Sequence, residues 1–290
     1  MRSLLGFSAT LCVAAIAGGQ DVAPRELWLD RDASQIPLID SPKPSNRTWD
    51  RLAADTRDFV ERTGYDFENF YANDTPFFLG LSVAAVAPIA NTYADRRMRD
   101  YYQRHVQPGE THVADHAADY VKFVGDHRYT VPIYAAISFS DFLLPESAMA
   151  STVGEFGRRS LRALAVGAPT LGVLQGGIGS MRPQGDSRWH PFQSHHGVSG
   201  HTFVGAVPFL TAAAMSESYF LKALFFAGSF SVGWSRIHQD AHYVSQIAIG
   251  WGIAFLSVRA VNITEGDGFR MRLVPAEVAD GVGIGVHVEY

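Results

Sequence analysis

Cysteine is almost missing from this sequence: Cys12 is the only one, and it sits in an apolar N-terminal stretch. A single thiol excludes a disulfide scaffold and a multi-thiolate metal site, so the fold must be held by its core. Ala9 stands three positions before Cys12, where a lipoprotein attachment signal carries an aliphatic residue, which argues against a lipid anchor there. Charge is sparse too, at 18% Asp, Glu, Lys and Arg with a formal net charge of -5. That balance gives no general attraction to nucleic acid, whose binding rests on basic surface. The sequence has no glycine-rich nucleotide loop and no internal repeat. Long apolar runs are scarce as well. The apolar segments reach roughly 15 to 19 residues, at or below the length that crosses a bilayer, and mean hydropathy is +0.00.

What is present is a 290-residue chain, 47% hydrophobic, long enough for one large domain. Residues 1–19 read as a secretory signal peptide, with Arg2 ahead of an apolar run and Ala17, Gly18 and Gly19 at its end. An uncleaved anchor is the alternative. Residues 20–47, rich in Pro, Asp and Ser, read as an extended arm. A helical domain is expected over 48–262. It opens with an amphipathic helix near 48–62 and continues through apolar segments at 76–92, 130–144, 160–178, 202–215, 220–234 and 244–258. The charged linker from Ala94 to Arg128 has helical periodicity of its own. In the tail at 263–290, Arg270 to Pro275 and Gly281 to Tyr290 alternate in a period near two, with Ile284, Val286 and Val288 on one side. The expected fold is therefore mainly α: a bundle of about six core helices, extra N-terminal helices, and a short C-terminal β hairpin or strand.

The expected location is exported, in the periplasm or cell envelope, soluble or membrane-associated, with an integral membrane protein as the alternative. Arg96, Arg97, Arg99 and Arg104 in one linker favour spanning under the positive-inside rule, while Asp141 and Glu217 oppose it. Asn46, Asn73 and Asn262 begin glycosylation tripeptides.

Chemistry concentrates in the C-terminal half, where polar residues interrupt apolar helices and need partners or a use. Ser180-Met181-Arg182-Pro183 ends one apolar segment, and Arg182 offers a fork of donors to an oxyanion; an ordinary helix end is the plainer reading. Val198-Ser199-Gly200-His201 leads into a helix whose first amides can meet an anion. Ser199 as a simple N-cap would account for the serine but not for His201. Ser235-Arg236-Ile237-His238-Gln239-Asp240-Ala241-His242 lies between two apolar helices. His238 and His242 have the spacing of a helical zinc pair, but Gln239 stands where a zincin needs Glu. The loop at 179–198 adds His190, His195, His196 and Arg188, which read as solvated residues or as extra positive charge near a site.

In order and spacing these pieces resemble the superfamily of type 2 phosphatidic acid phosphatases, bacterial class A acid phosphatases and vanadium haloperoxidases. Its signature runs Lys-x6-Arg-Pro, Pro-Ser-Gly-His and Ser-Arg-x5-His-x3-Asp. The chain matches at Arg182-Pro183, Ser199-Gly200-His201, Ser235-Arg236 and His242, and departs at Gln175 for Lys, Val198 for Pro and Gln246 for Asp. The resemblance implies a metal-independent phosphate monoester hydrolase with His242 as nucleophile, forming a phosphohistidine, and His201 as general acid and base. Arg182, Ser199, Gly200 and Arg236 would bind phosphate. Gln246 and Gln175 would take supporting positions, with Asp240 as a stand-in for the missing carboxylate. The implied substrate is a lipid phosphate or a small soluble phosphomonoester, a membrane surface is an additional candidate partner, and no cofactor is required. The rivals are a haloperoxidase holding vanadate in the same pocket and a catalytically impaired phosphate-binding member.

Overall fold

The computed structural model describes residues 9–13, 48–72, 74–109, 112–266, 270–278 and 281–289. The expected signal peptide, apart from 9–13, and the expected arm at 20–47 lie outside these residues, as do Asn46 and Asn73. The architecture is mainly helical. Helix α1 (Thr48–Tyr71) precedes α2 (Thr75–Asn91) and α3 (Ala94–Tyr101); a π turn at Tyr102–Val106 and a 3-10 turn at Gln107–Gly109 follow. Then come α4 (His112–Val124), α5 (His127–Ile137), the short α6 (Ser140–Leu143) and α7 (Ala148–Ile178). The C-terminal half holds α8 (Gly200–Met215), α9 (Tyr219–Gly228), α10 (Ser231–His238) and α11 (Val244–Thr264).

Helix α11 is the central element, packed against α1, α2, α7 and α8. Its sequence is apolar nearly all round, as a helix surrounded by other helices must be. The core joins Ala163 and Leu164 of α7, Phe203 and Val207 of α8, and Ile249, Ile253 and Val258 of α11. Close approach of α8 and α11 depends on Gly250: a Cβ there would lie 2.5 Å from the Ser199 carbonyl oxygen. Helix α7 ends at Gly179, whose φ of 63° is left-handed, as in an αL cap.

The apolar segments map onto helices with informative differences. Helix α7 begins at Ala148, well before the expected 160, because its charged first half is paired. Arg158 meets Asp141, Arg159 meets Glu155, and fully buried Arg162 forks onto Asp66 at 2.7 and 2.8 Å. The expected segments at 130–144 and 220–234 are each broken in two. At the second break the Ser229 hydroxyl donates to the Phe226 carbonyl at 2.6 Å, which satisfies a helix end locally. Asn262 is buried on α11, so its tripeptide is not an accessible acceptor. The expected C-terminal hairpin is not supported as part of this fold. Alternation in sequence is a weak signal by itself, since a two-stranded hairpin is at best marginally stable without a layer to pack on.

Among the described residues two helices, α7 and α11, are long and apolar enough to cross a membrane, and the bent pair formed by α2 and the helical run after it makes up to three. This is compatible with membrane association.

Candidate active site

The first turn of α11 gathers the three sequence pieces. Gln246 at its third position is fully buried, and all its polar atoms are engaged. Its Nε2 donates to the Met181 carbonyl at 2.7 Å and to Ser180 Oγ at 2.8 Å. Its Oε1 accepts from the Tyr243 N–H at 3.1 Å and lies 2.8 Å from His242 Nδ1. A carbonyl can only accept and a backbone N–H can only donate, so the amide has one possible orientation. His242 must then carry its proton on Nδ1 and keep the lone pair on Nε2, which has no partner among the described residues.

The neighbouring residues tie the turn to the other pieces. The Tyr243 hydroxyl lies 3.0 Å from the Gly185 carbonyl and 3.3 Å from that of Pro183, holding the Arg182 loop. The Ser199 N–H donates to the Gln246 carbonyl at 3.0 Å, which seats the start of α8. Buried Asp95 from α3 accepts from the Ser245 N–H at 3.1 Å and from its hydroxyl, fixing the α11 terminus from a third side.

Two arginine charges act on the imidazole. Arg236 donates through Nη1 to Gln239 Oε1 at 2.7 Å, and Gln239 is itself oriented by Asp119 at 2.8 Å. The Arg236 Nε–H is buried with no acceptor among the described residues, an arrangement that costs stability unless an anion fills it. Burial, and after it the charge of Arg182, lower the Arg236 pKa, so the two guanidinium groups face one region. Arg182 is exposed and has no ion pair among the described residues.

Ser199 does cap α8. Its Oγ accepts from the Thr202 N–H at 3.3 Å and from the Thr202 hydroxyl at 2.9 Å. Both bonds use lone pairs, which leaves its own proton free to donate. Gln175 donates to the Val198 carbonyl at 3.2 Å, and its Nε2 would lie 3.4 Å from a Cβ at Gly200. It therefore lines the turn that presents the first α8 amides. Gln175→Lys is expected to tighten vanadate inhibition about tenfold, because a charged donor replaces a neutral one beside that turn. An unchanged inhibition constant would mean that the longer side chain turns away.

Burial shifts both histidines toward the neutral form. Burial pushes the His242 pKa down to about 4; the Gln246 bond opposes this, while Arg236, Arg182 and His201 add to it. The His201 pKa is lowered by burial and then by Arg236, with Asp126 pulling the other way. Asp126, which caps α5 and is ion-paired to Arg128 at 2.6 Å, is a site neighbour that sequence reasoning missed. His201, Arg236 and Asp126 all line one cleft of about 340 Å³.

Other expected participants lie elsewhere. Asp240 does not orient His242: its carboxylate pairs with Arg99, with Nε donating at 2.7 Å, and Gln246 already occupies His242 Nδ1. Its backbone is left-handed at φ 49°, which turns the residue out of the helix. The ring nitrogens of His238 are taken by Tyr102 at 3.2 Å and Asp115 at 2.8 Å, so it is not paired with His242 for a metal. Arg188 lies over the Tyr93 ring and His190 faces Asp186, whereas His196 sits near enough to Arg182 for that charge to help lower its pKa, after burial.

The family model of the PAP2 superfamily matches residues 163–267, the stretch that supplies His242, His201, both arginines, Ser199 and Gln246. Over this stretch the chain is similar to the PAP2, or type 2 phosphatidic acid phosphatase, superfamily, a likeness that suggests phosphatase-type activity in general terms. No curated protein and no solved structure matches the chain significantly.

Proposed function

We propose that this chain hydrolyses phosphate monoesters through a phosphohistidine on His242, without a metal. The observation that carries the reading is the lock on Gln246. It sets the His242 tautomer and leaves the Nε2 lone pair without a partner among the described residues, in a ring on which the Arg236 and Arg182 charges act. Nε2 attacks phosphorus as the bond to the ester oxygen breaks, and His201 gives that oxygen its proton. His201 then takes a proton from water as the water oxygen attacks phosphorus, releasing phosphate and restoring His242. Arg182, Arg236, the Ser199 hydroxyl and the Gly200 N–H hold the equatorial oxygens as charge shifts during transfer. Gln246 keeps accepting from Nδ1–H while the ring carries the phosphoryl group, the part that Asp plays in the signature. A screen of purified protein against soluble and lipid phosphates, with exhaustive chelation, tests this. Phosphate release that survives chelation is expected; no release from any ester, or release that needs zinc, overturns it. Halide oxidation with vanadate and peroxide would instead identify the haloperoxidase chemistry.

The pH dependence follows from the two histidines. The nucleophile must be unprotonated, so activity appears as pH rises through the His242 pKa of about 4. The acid must be protonated, so activity is lost as pH rises through the His201 pKa, which lies below the ordinary value of 6.5. The profile of kcat/KM, which reports the free enzyme, is therefore expected to be bell-shaped with an acidic optimum between these limits. Asp126→Asn removes the one carboxylate that favours protonated His201 and should move the alkaline limb to lower pH. An optimum at about pH 8, above the ordinary histidine range, would require different groups.

A further inference from the structure

The cleft at the α4–α5 corner reaches the group proposed to donate the proton and one of those proposed to hold phosphate. His201 and Arg236 belong to its lining, so it lies where an ester oxygen would depart from phosphorus. In an in-line transfer the leaving group exits away from the nucleophile, on the side of the proton donor. The shape of this cleft therefore bears on which leaving group is accepted.

Its remaining wall is aromatic and charge-compensated. Phe123 and Tyr129 stack with centroids 4.1 Å apart and planes at 20°, yet remain 51% and 44% exposed. Arg128 covers Tyr129, with its guanidinium carbon 5.9 Å from the ring centroid. The two cations of the wall are already answered. Lys122 pairs with Asp119 at 2.9 Å and Arg128 with Asp126 at 2.6 Å, so no second anion is called for. Among the described residues no Ala, Val, Leu or Ile lines the cleft, which leaves acyl chains without an apolar bed. A volume of about 340 Å³ suits one small ring.

We propose that this cleft is the leaving-group subsite and that it selects phosphomonoesters whose leaving group carries a planar aromatic ring, stacked on the Phe123–Tyr129 pair, over lipid phosphates. The proposal rests on the phosphatase reading above and adds the substrate class. Benzylphosphonate and cyclohexylmethylphosphonate separate the two, since they share charge and linkage and differ in whether the ring is flat. In calorimetry on the full chain, benzylphosphonate is expected to bind about 3- to 10-fold more tightly, the range of an aromatic stacking contact. Phe123→Ala and, independently, Tyr129→Leu should erase that preference while vanadate affinity is retained. In turnover, benzyl phosphate should exceed dihexanoyl phosphatidic acid in kcat/KM. Equal binding of the two phosphonates, a preference that survives both substitutions, or faster lipid turnover would overturn the subsite while leaving the phosphatase reading standing. Failure of vanadate and both phosphonates to bind, with no hydrolysis, would remove the phosphate site itself.

Discussion

His242→Ala is expected to lower kcat by on the order of 10⁴-fold or more, the loss seen when a nucleophile that acts as a unit with its partners is removed. The fold should survive. The only partner of the His242 ring among the described residues is Gln246 Oε1, which keeps its bond from the Tyr243 N–H when the ring is gone. Ser180, Met181 and Ser199 stay tied to Gln246 by bonds that do not involve the imidazole. Circular dichroism and thermal melting should thus change little, while rapid-quench trapping of an acid-labile phosphoryl-enzyme should fail. His201→Ala is the informative companion. It removes the proton donor and leaves the nucleophile, so an activated leaving group that needs no proton should restore phosphoryl-enzyme formation, read as a burst of leaving group, while the later attack of water stays slow; His242→Ala should show no burst. Wild-type turnover by a folded His242→Ala protein would exclude the phosphohistidine route.

Much of this site was legible because its residues come in short runs whose spacing the chain preserves. Arg182, Ser199, Gly200, Arg236 and His242 converge because one helix terminus, at Tyr243 to Gln246, holds all three runs by hydrogen bonds. The polar residues that complete the site were hidden for a physical reason. Asp95 reaches Ser245 across 150 residues and Gln239 reaches Asp119 across 120, and no local pattern encodes such contacts. Asp240 misled for the opposite reason: it is close to His242 in sequence, but a left-handed backbone and Arg99 take its carboxylate elsewhere. The fold shows the same division. Helices α2, α8 and α11 follow apolar segments directly. The first half of α7 carries several charged residues, with Arg162 buried against Asp66 and Glu265, so its hydropathy concealed it. The period-two tail offered only local alternation, and alternation alone does not stabilise a hairpin.

Gln246→Glu is the second large effect expected, and its sign runs against the resemblance. The signature carries Asp here, so on the motif alone a carboxylate would restore activity. The surroundings are built for an amide instead: Nε2 gives one proton to the Met181 carbonyl at 2.7 Å and one to Ser180. An isosteric carboxylate puts an acceptor against the Met181 carbonyl, and a buried acceptor without a donor costs about 1 to 3 kcal/mol. Burial and that carbonyl raise the pKa of the new carboxyl above its ordinary value of about 4.3. The folded state then holds the proton more tightly than the unfolded chain. The deficit should be small below the unfolded pKa and grow as pH rises through it toward the folded pKa. Melting temperature relative to wild type should accordingly be nearly unchanged at about pH 4 and clearly lower at about pH 7. Turnover should fall as well, by about 10- to 100-fold as for other partners that orient a reacting group. Once ionised, the introduced carboxylate would draw a proton onto His242, and an imidazolium has no lone pair at Nε2 with which to attack. Gln246→Glu matching or exceeding wild-type turnover across the active pH range, with a melting curve unshifted at about pH 7, would show that the amide lock is not what prepares His242.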